Sequence, residues 1–108
     1  MAEVARVYPL KRQQPEPLWR EVLGRRLRAL RGERGETLAD TAERAGISPQ
    51  YLSEVERGRK EPSSEMIAAV AGALDTTLAD LTTQVTRDLR QSRSARATSN
   101  PVALAMAA

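Results

Sequence analysis

The sequence predicts an all-α fold of five helices, the fifth extended, set between disordered tails. Three observations predict it. Apolar residues recur three and four positions apart in consecutive stretches, the period of a helix that buries one face. Residues that cap or end helices stand at the joints: Thr37, Ser48 and Thr77 before a stretch, Gly46 and Gly58 after one. Aromatic residues are only 3% of the 108-residue chain, so the interior has to be built from Leu, Val, Ile and Ala. The length fits one domain with tails, and roughly sixty residues of compact helix is near the lower limit for a self-sufficient core.

Residues 1–17 have three prolines, mixed charge and no period, and read as a flexible arm. The first helix runs from Leu18 to Arg34, with Trp19, Leu23, Leu27 and Leu30 on one stripe. Arg20, Arg25, Arg26 and Arg28 lie largely off it and read as a solvated charged face. Gly32 and Gly35 bracket its end. Thr37 caps the second helix, whose stripe is Leu38, Ala42 and Ala45, and Gly46 ends it in a left-handed conformation. Ile47 is an apolar plug in the turn. Ser48 caps the third helix, Pro49 to Arg57, with Pro49 in the first position, where a missing N–H is harmless. Leu52 and Val55 face inward and Gly58 closes the helix. Ser64 is the expected cap of the fourth helix, whose apolar face is Met66, Ile67, Val70, Ala71 and Leu74. Thr77 caps the fifth, expected over about 77–90 with Leu78, Leu81, Val85 and Leu89 as its stripe. Residues 91–108 are expected to be a disordered basic tail with an Ala-rich end, which leaves a domain at 18–90.

Composition excludes several classes of function. With no Cys and no His there are no disulfides, no thiol nucleophile and none of the usual zinc or haem ligands. No carboxylates cluster around a Gly-rich loop. No catalytic residue, metal or cofactor is therefore expected, and the chain does not read as an enzyme. No apolar run of about 18 residues exists to span a membrane, and the N-terminus lacks the apolar core of a signal peptide. A cytoplasmic, nucleoid-associated protein is expected. Charge is unevenly spread. Residues 1–34 carry nine Lys and Arg against four Asp and Glu, residues 35–86 four against nine, and residues 87–108 four against one. The overall basicity is thus no argument for nucleic-acid binding by the centre of the chain.

The local pattern at residues 38–57 is such an argument. Helix, Gly turn, helix is the helix-turn-helix arrangement, whose second helix lies in the DNA major groove. With Leu52 and Val55 turned inward, Gln50 and Glu54 share the outward face, flanked by Pro49 and Ser53. Gln can bond adenine bidentately and Glu can accept from cytosine, so these four are the expected base-reading set. Thr37, Tyr51, Arg57, Arg59 and Lys60 are the expected phosphate contacts, a guanine edge being the alternative for Arg57 and an ordinary polar helix face the alternative for the outward residues of the third helix. Leu81, Val85 and Leu89 belong to a stripe that continues past the point where another helix of the chain remains to cover it. They are expected to form the seam of a symmetric homodimer, a frayed helix being the alternative. A dimer would read a pseudo-palindrome with half-sites about one helical turn apart.

The chain also resembles a family. Leu27-Arg-Ala-Leu-Arg31, Arg34-Gly-Glu-Thr-Leu38, Ala45-Gly-Ile-Ser48, Tyr51-Leu-Ser53, Glu56-Arg-Gly58 and Glu61-Pro-Ser63 are similar, in order and spacing, to Cro/C1-type, lambda-repressor-like helix-turn-helix domains. The resemblance covers Val22 to Leu81. It departs at Glu36, where an apolar residue is common, and at Thr41, where Leu is common. It implies that Arg31 pairs with Glu56 and so ties the first helix to the end of the third. The C-terminal residues, ending in Ala107 and Ala108, resemble tags read by Clp-type proteases. A basic arm, one such domain, an extra helix and that end together resemble the clp gene regulators of actinobacteria. That likeness implies an activator of protease genes under stress, degraded by the protease it induces, and RNA polymerase as a further partner. An antitoxin or autorepressor of the same fold, which would bind a partner protein, is the alternative. Arg6, Lys11 and Arg12 of the arm, and Arg87, Arg90, Arg93 and Arg96 of the last segment, are either solubilising charge or groups that attract DNA.

Overall fold

The computed structural model describes residues 17–98, with side chains to Ser92. Most of the N-terminal arm, and the end that carries Ala107 and Ala108, lie outside the described residues. Helix α1 (Trp19–Glu33) starts after Leu18, whose extended backbone offers its N–H to Glu21 Oε1 at 2.9 Å. Helix α2 (Leu38–Ala45) is closed by a reciprocal cap. Thr37 Oγ1 accepts from the Asp40 N–H, and Asp40 Oδ2 accepts from the Thr37 N–H, both at 3.1 Å. Gly46 ends α2 at φ +76°. Ser48 Oγ accepts from the Tyr51 N–H at 3.0 Å and opens α3 (Pro49–Glu56). Helix α4 (Ser64–Ala73) is capped by Ser63, whose Oγ accepts from the Met66 N–H at 3.2 Å. The expected cap, Ser64, is instead its first helical residue. Helix α5 (Leu78–Thr98) follows Thr77, whose Oγ1 accepts from the Asp80 N–H at 3.0 Å. It runs several residues beyond the expected end near residue 90.

The helices close a ring of neighbours: α1 packs on α3 and α5, α2 on α3 and α4, and α4 on α5. Val22, Leu23, Leu27, Ala42, Leu52, Val55, Ile67, Val70, Ala71, Leu74, Leu81 and Val85 form the core. Met66, expected within it, is only half-buried and is not part of it. Gly24 sets the closeness of α1 and α3, since a Cβ there would run into the backbone carbonyls of Val55 and Glu56.

Two of the expected seam residues are corrected by this packing. Leu81 and Val85 are both 0% exposed within the single chain, and Leu89 is partly buried against the same core. The reason is the path of α5, which turns back across α1. Arg26 holds it there by a fork onto Asp88, Nε to Oδ2 at 2.8 Å and Nη2 to Oδ1 at 2.6 Å. The stripe therefore has a partner in its own chain, and Leu81 and Val85 are core residues.

The two departures at Glu36 and Thr41 form one polar network. Thr41 is buried, and its hydroxyl donates to Glu36 Oε1 at 2.7 Å. Arg44 Nη2 donates to both Glu36 oxygens at 2.5 and 2.7 Å, and also to the Ala73 carbonyl at 2.6 Å. Arg34 bridges Glu36 and Asp75. The Arg44 guanidinium and the Thr41 hydroxyl, with help from Arg34, hold the Glu36 carboxyl down at about 2 against an ordinary 4.5. Where an apolar residue would have packed, a satisfied carboxylate joins the end of α1, α2 and the end of α4.

Candidate nucleic-acid interface

Helix α3 presents its outward face because its inward one is fully engaged. Leu52 and Val55 are buried, and so is the carboxylate end of Glu56. At about 100° of turn per residue, the direction opposite those three belongs to Gln50 and Arg57, with Ser53 and Glu54 on either side. Pro49, Gln50 and Arg57 are exposed, and Ser53 and Glu54 are half-buried. Gln50 thus sits at the centre of the presented face, near the capped N-terminal end of the helix, and Arg57 lies roughly 10 Å further along.

Other expected contacts are placed less simply. The Tyr51 ring packs against the core and is half-buried. The Thr37 hydroxyl oxygen and backbone N–H are both committed to the reciprocal cap, which puts the Asp40 carboxylate beside them. Lys60 Nζ lies 3.9 Å from Glu54 Oε1, so one expected phosphate contact and one expected base contact are loosely paired with each other.

The end of α3 is fixed from two directions. The Gly58 N–H donates to the Val55 carbonyl and the Arg59 N–H to the Glu54 carbonyl, both at 3.0 Å, with Gly58 at φ +76°. This is the double bond pattern of a left-handed helix stop. Arg20 Nε of α1 then donates to the Gly58 carbonyl at 3.0 Å. Arg31 clamps the same corner. Its Nε and Nη2 donate to the two Glu56 oxygens, and its Nη1 to the Glu36 carbonyl at 2.9 Å. The Glu56 carboxylate holds the Arg31 guanidinium more firmly protonated than usual. Arg31 and Glu56 are thus brought together as the resemblance implied.

The division of labour among the α1 arginines is not legible in the sequence. Arg20 and Arg26 are tied to the Gly58 carbonyl and to Asp88, whereas Arg25 and Arg28 are exposed and line concave surface beside α3 with Arg57. The signal was available only as an off-stripe position, which all four share.

Among the described residues no group of His, Cys, Asp or Glu is arranged to hold a metal, and no helix is long and apolar enough to cross a membrane. What the site offers is an exposed helix face with the Gln50 amide at its centre and cations at one end.

Comparison with known proteins bears on what such a face does. Residues 22–85 match the helix-turn-helix domain family. The chain is 48% identical over 82 residues to the transcriptional regulator ClgR of Mycobacterium tuberculosis, which covers 75% of this chain and 73% of that one. Among solved structures, the clp gene regulator ClgR from Corynebacterium glutamicum superposes with a TM-score of 0.68 at 45% identity, over 78% of this chain and 94% of that one. The restriction-modification controller protein C.AhdI from Aeromonas hydrophila superposes with a TM-score of 0.56 at 34% identity, over 57% and 94% of the two chains.

Proposed function

The chain belongs to the Cro/C1-type helix-turn-helix family and is a transcriptional regulator of that family; on that premise we propose that it activates Clp protease genes, reading a pseudo-palindromic operator as a homodimer. The observation that carries the reading is the exposure of Gln50 at the centre of the α3 face, with Leu52 and Val55 buried directly behind it. A side chain in that setting can reach a base edge from a rigid support. Gln50 makes the bidentate base contact, with Glu54, Ser53 and Pro49 around it. Thr37, Tyr51, Arg57, Arg59 and Lys60 contact phosphate and set the register.

The homodimer follows from the reading requirement, because one recognition helix spans only a few base pairs. Its seam is sited at the two ends of the α5 stripe, where Leu78 is 38% exposed and Leu89 is only partly covered, on either side of the buried Leu81 and Val85. The Corynebacterium relative is a clp gene regulator, which supports protease genes as targets. Degradation through Ala107 and Ala108 by a Clp-type protease, and contact with RNA polymerase, complete the proposal.

Genome-wide immunoprecipitation of the protein with its DNA tests it. The expected result is enrichment upstream of Clp protease genes, with a shared pseudo-palindrome under the peaks. Peaks without a common palindrome, or absent from those promoters, would overturn it.

A further inference from the structure

We propose that Arg25 and Arg28 of α1, together with Arg57 and Arg59 at the end of α3, form a cleft that takes the sugar–phosphate backbone of the bound duplex. The inference rests on the DNA-reading face of α3 and adds to it a wall contributed by α1.

Nine arginines lie from Arg20 to Arg59. Five are tied inward: Arg20 to the Gly58 carbonyl, Arg26 to Asp88, Arg31 to Glu56, Arg34 to Glu36 and Asp75, and Arg44 to Glu36 and the Ala73 carbonyl. The other four have no side-chain hydrogen bond or ion pair among the described residues, and all four line one concave surface. Two carboxylates share that surface, Glu21 and Glu56. Both are occupied, Glu21 by the Leu18 N–H and Glu56 by the fork of Arg31. The cleft is therefore net cationic: Arg31 offsets Glu56, and Glu21, whose partner is an uncharged N–H, is the one carboxylate left to face four guanidiniums.

Like charges gathered this way repel unless an anion sits among them, and the guanidinium fork matches the oxygens of a phosphate. Position selects the duplex as the source of that phosphate. Arg28 and Arg57 also line the adjoining hollow with Ser53 and Leu38, so the cleft is continuous with the reading face. Its floor is preorganised, because Gly58 and Arg59 are held by the helix stop and by Arg20.

The test is the salt dependence of duplex binding by the full chain, measured by fluorescence anisotropy on a mixed-sequence duplex and on an operator selected by the wild-type protein. Each phosphate contact contributes about 0.9 to the slope of log affinity against log salt. R25Q/R28Q is expected to lower that slope by about two per protomer, so by about four for the homodimer, on both duplexes. Between about 50 and 200 mM salt, the wild-type advantage of the homodimer then shrinks about a hundredfold. R25K/R28K is expected to keep the slope, and so is A68E/A79E, which removes the same net charge from exposed positions on α4 and α5. If the double Gln variant melts early, each single variant carries the test with a slope change of about two for the homodimer. An unchanged slope in R25Q/R28Q overturns the cleft. So does an equal fall in A68E/A79E, or protection of the wild type from melting by pyrophosphate with the slope unaltered, which would mark a site for a free anion. If the wild-type chain itself binds neither duplex in a salt-dependent way, the DNA reading fails first, and that result is distinct from the others.

Discussion

Arg31 of α1 and Glu56 at the end of α3 face each other through two parallel bonds, Nε to Oε2 at 2.8 Å and Nη2 to Oε1 at 2.9 Å, with the Glu56 side chain only 5% exposed. They stand 25 residues apart in sequence, and their fork fixes where the recognition helix ends relative to the helix behind it. Removing one partner strands the other charge out of water. R31A is expected to lower unfolding free energy by about 3 kcal/mol, the low end for a broken buried pair because the arginine keeps some solvent. Urea denaturation measures this, and DNA affinity should fall in parallel. A double-mutant cycle with E56Q should recover part of the loss. An unaltered denaturation midpoint in R31A would count against the clamp.

Gln50 supports nothing in the fold, so its loss should show only in reading. Q50A is expected to melt like the wild type while losing about 1–3 kcal/mol of discrimination at one base pair per half-site. Selection from a randomised operator library, compared for the two proteins, measures this directly. The same preferred base at every position would remove Gln50 from the reading set.

Leu81 and Val85 distinguish a core helix from a dimer seam. L81A is expected to cost about 2–5 kcal/mol, and V85A less, since fewer methyl groups are removed. Because both side chains are covered within one chain, the loss should not vary with protein concentration. Melting curves over a wide range of concentration test this. A loss that vanishes on dilution would place these residues between subunits instead.

The Glu36 network makes stability depend on acid. Its carboxyl titrates at about 2 in the fold against an ordinary 4.5, so the folded state holds the proton more weakly than the unfolded chain does. The carboxylate's contribution is complete above about pH 4.5 and is lost as pH falls toward about 2. Urea midpoints taken between about pH 6 and pH 3 should therefore fall for the wild type. E36Q should start lower and fall less. Parallel curves for the two would refute the network's role.

Local chemistry was readable from the chain and long-range geometry was not. The caps at Thr37, Ser48 and Thr77 and the positive-φ glycines Gly46 and Gly58 appear as expected, because each depends on a few neighbouring residues. The fourth cap, Ser63, stands one residue before the expected Ser64, since the two carry the same hydroxyl and only the backbone direction after Pro62 chooses between them. The departures at Glu36 and Thr41 are compensated by Arg44, one turn after Thr41 on α2, and by Arg34, two residues before Glu36, groups that meet only once the turn between α1 and α2 has its shape.

By itself the sequence determined which segments are helical, where the turns fall, and that Gln50 opposes Leu52 and Val55 on the third helix. Period, caps and glycines act within one or two turns, so no tertiary contact is needed to read them. Only the tertiary structure decided which helix covers α5, and hence that Leu81 and Val85 are interior. It alone sorted the α1 arginines into Arg20 and Arg26, which fasten elements together, and Arg25 and Arg28, which remain open beside the recognition helix. Those outcomes depend on pairings such as Arg26 with Asp88, 62 residues apart. Such a pairing follows from the packing of the whole ring of helices, and no local pattern encodes it.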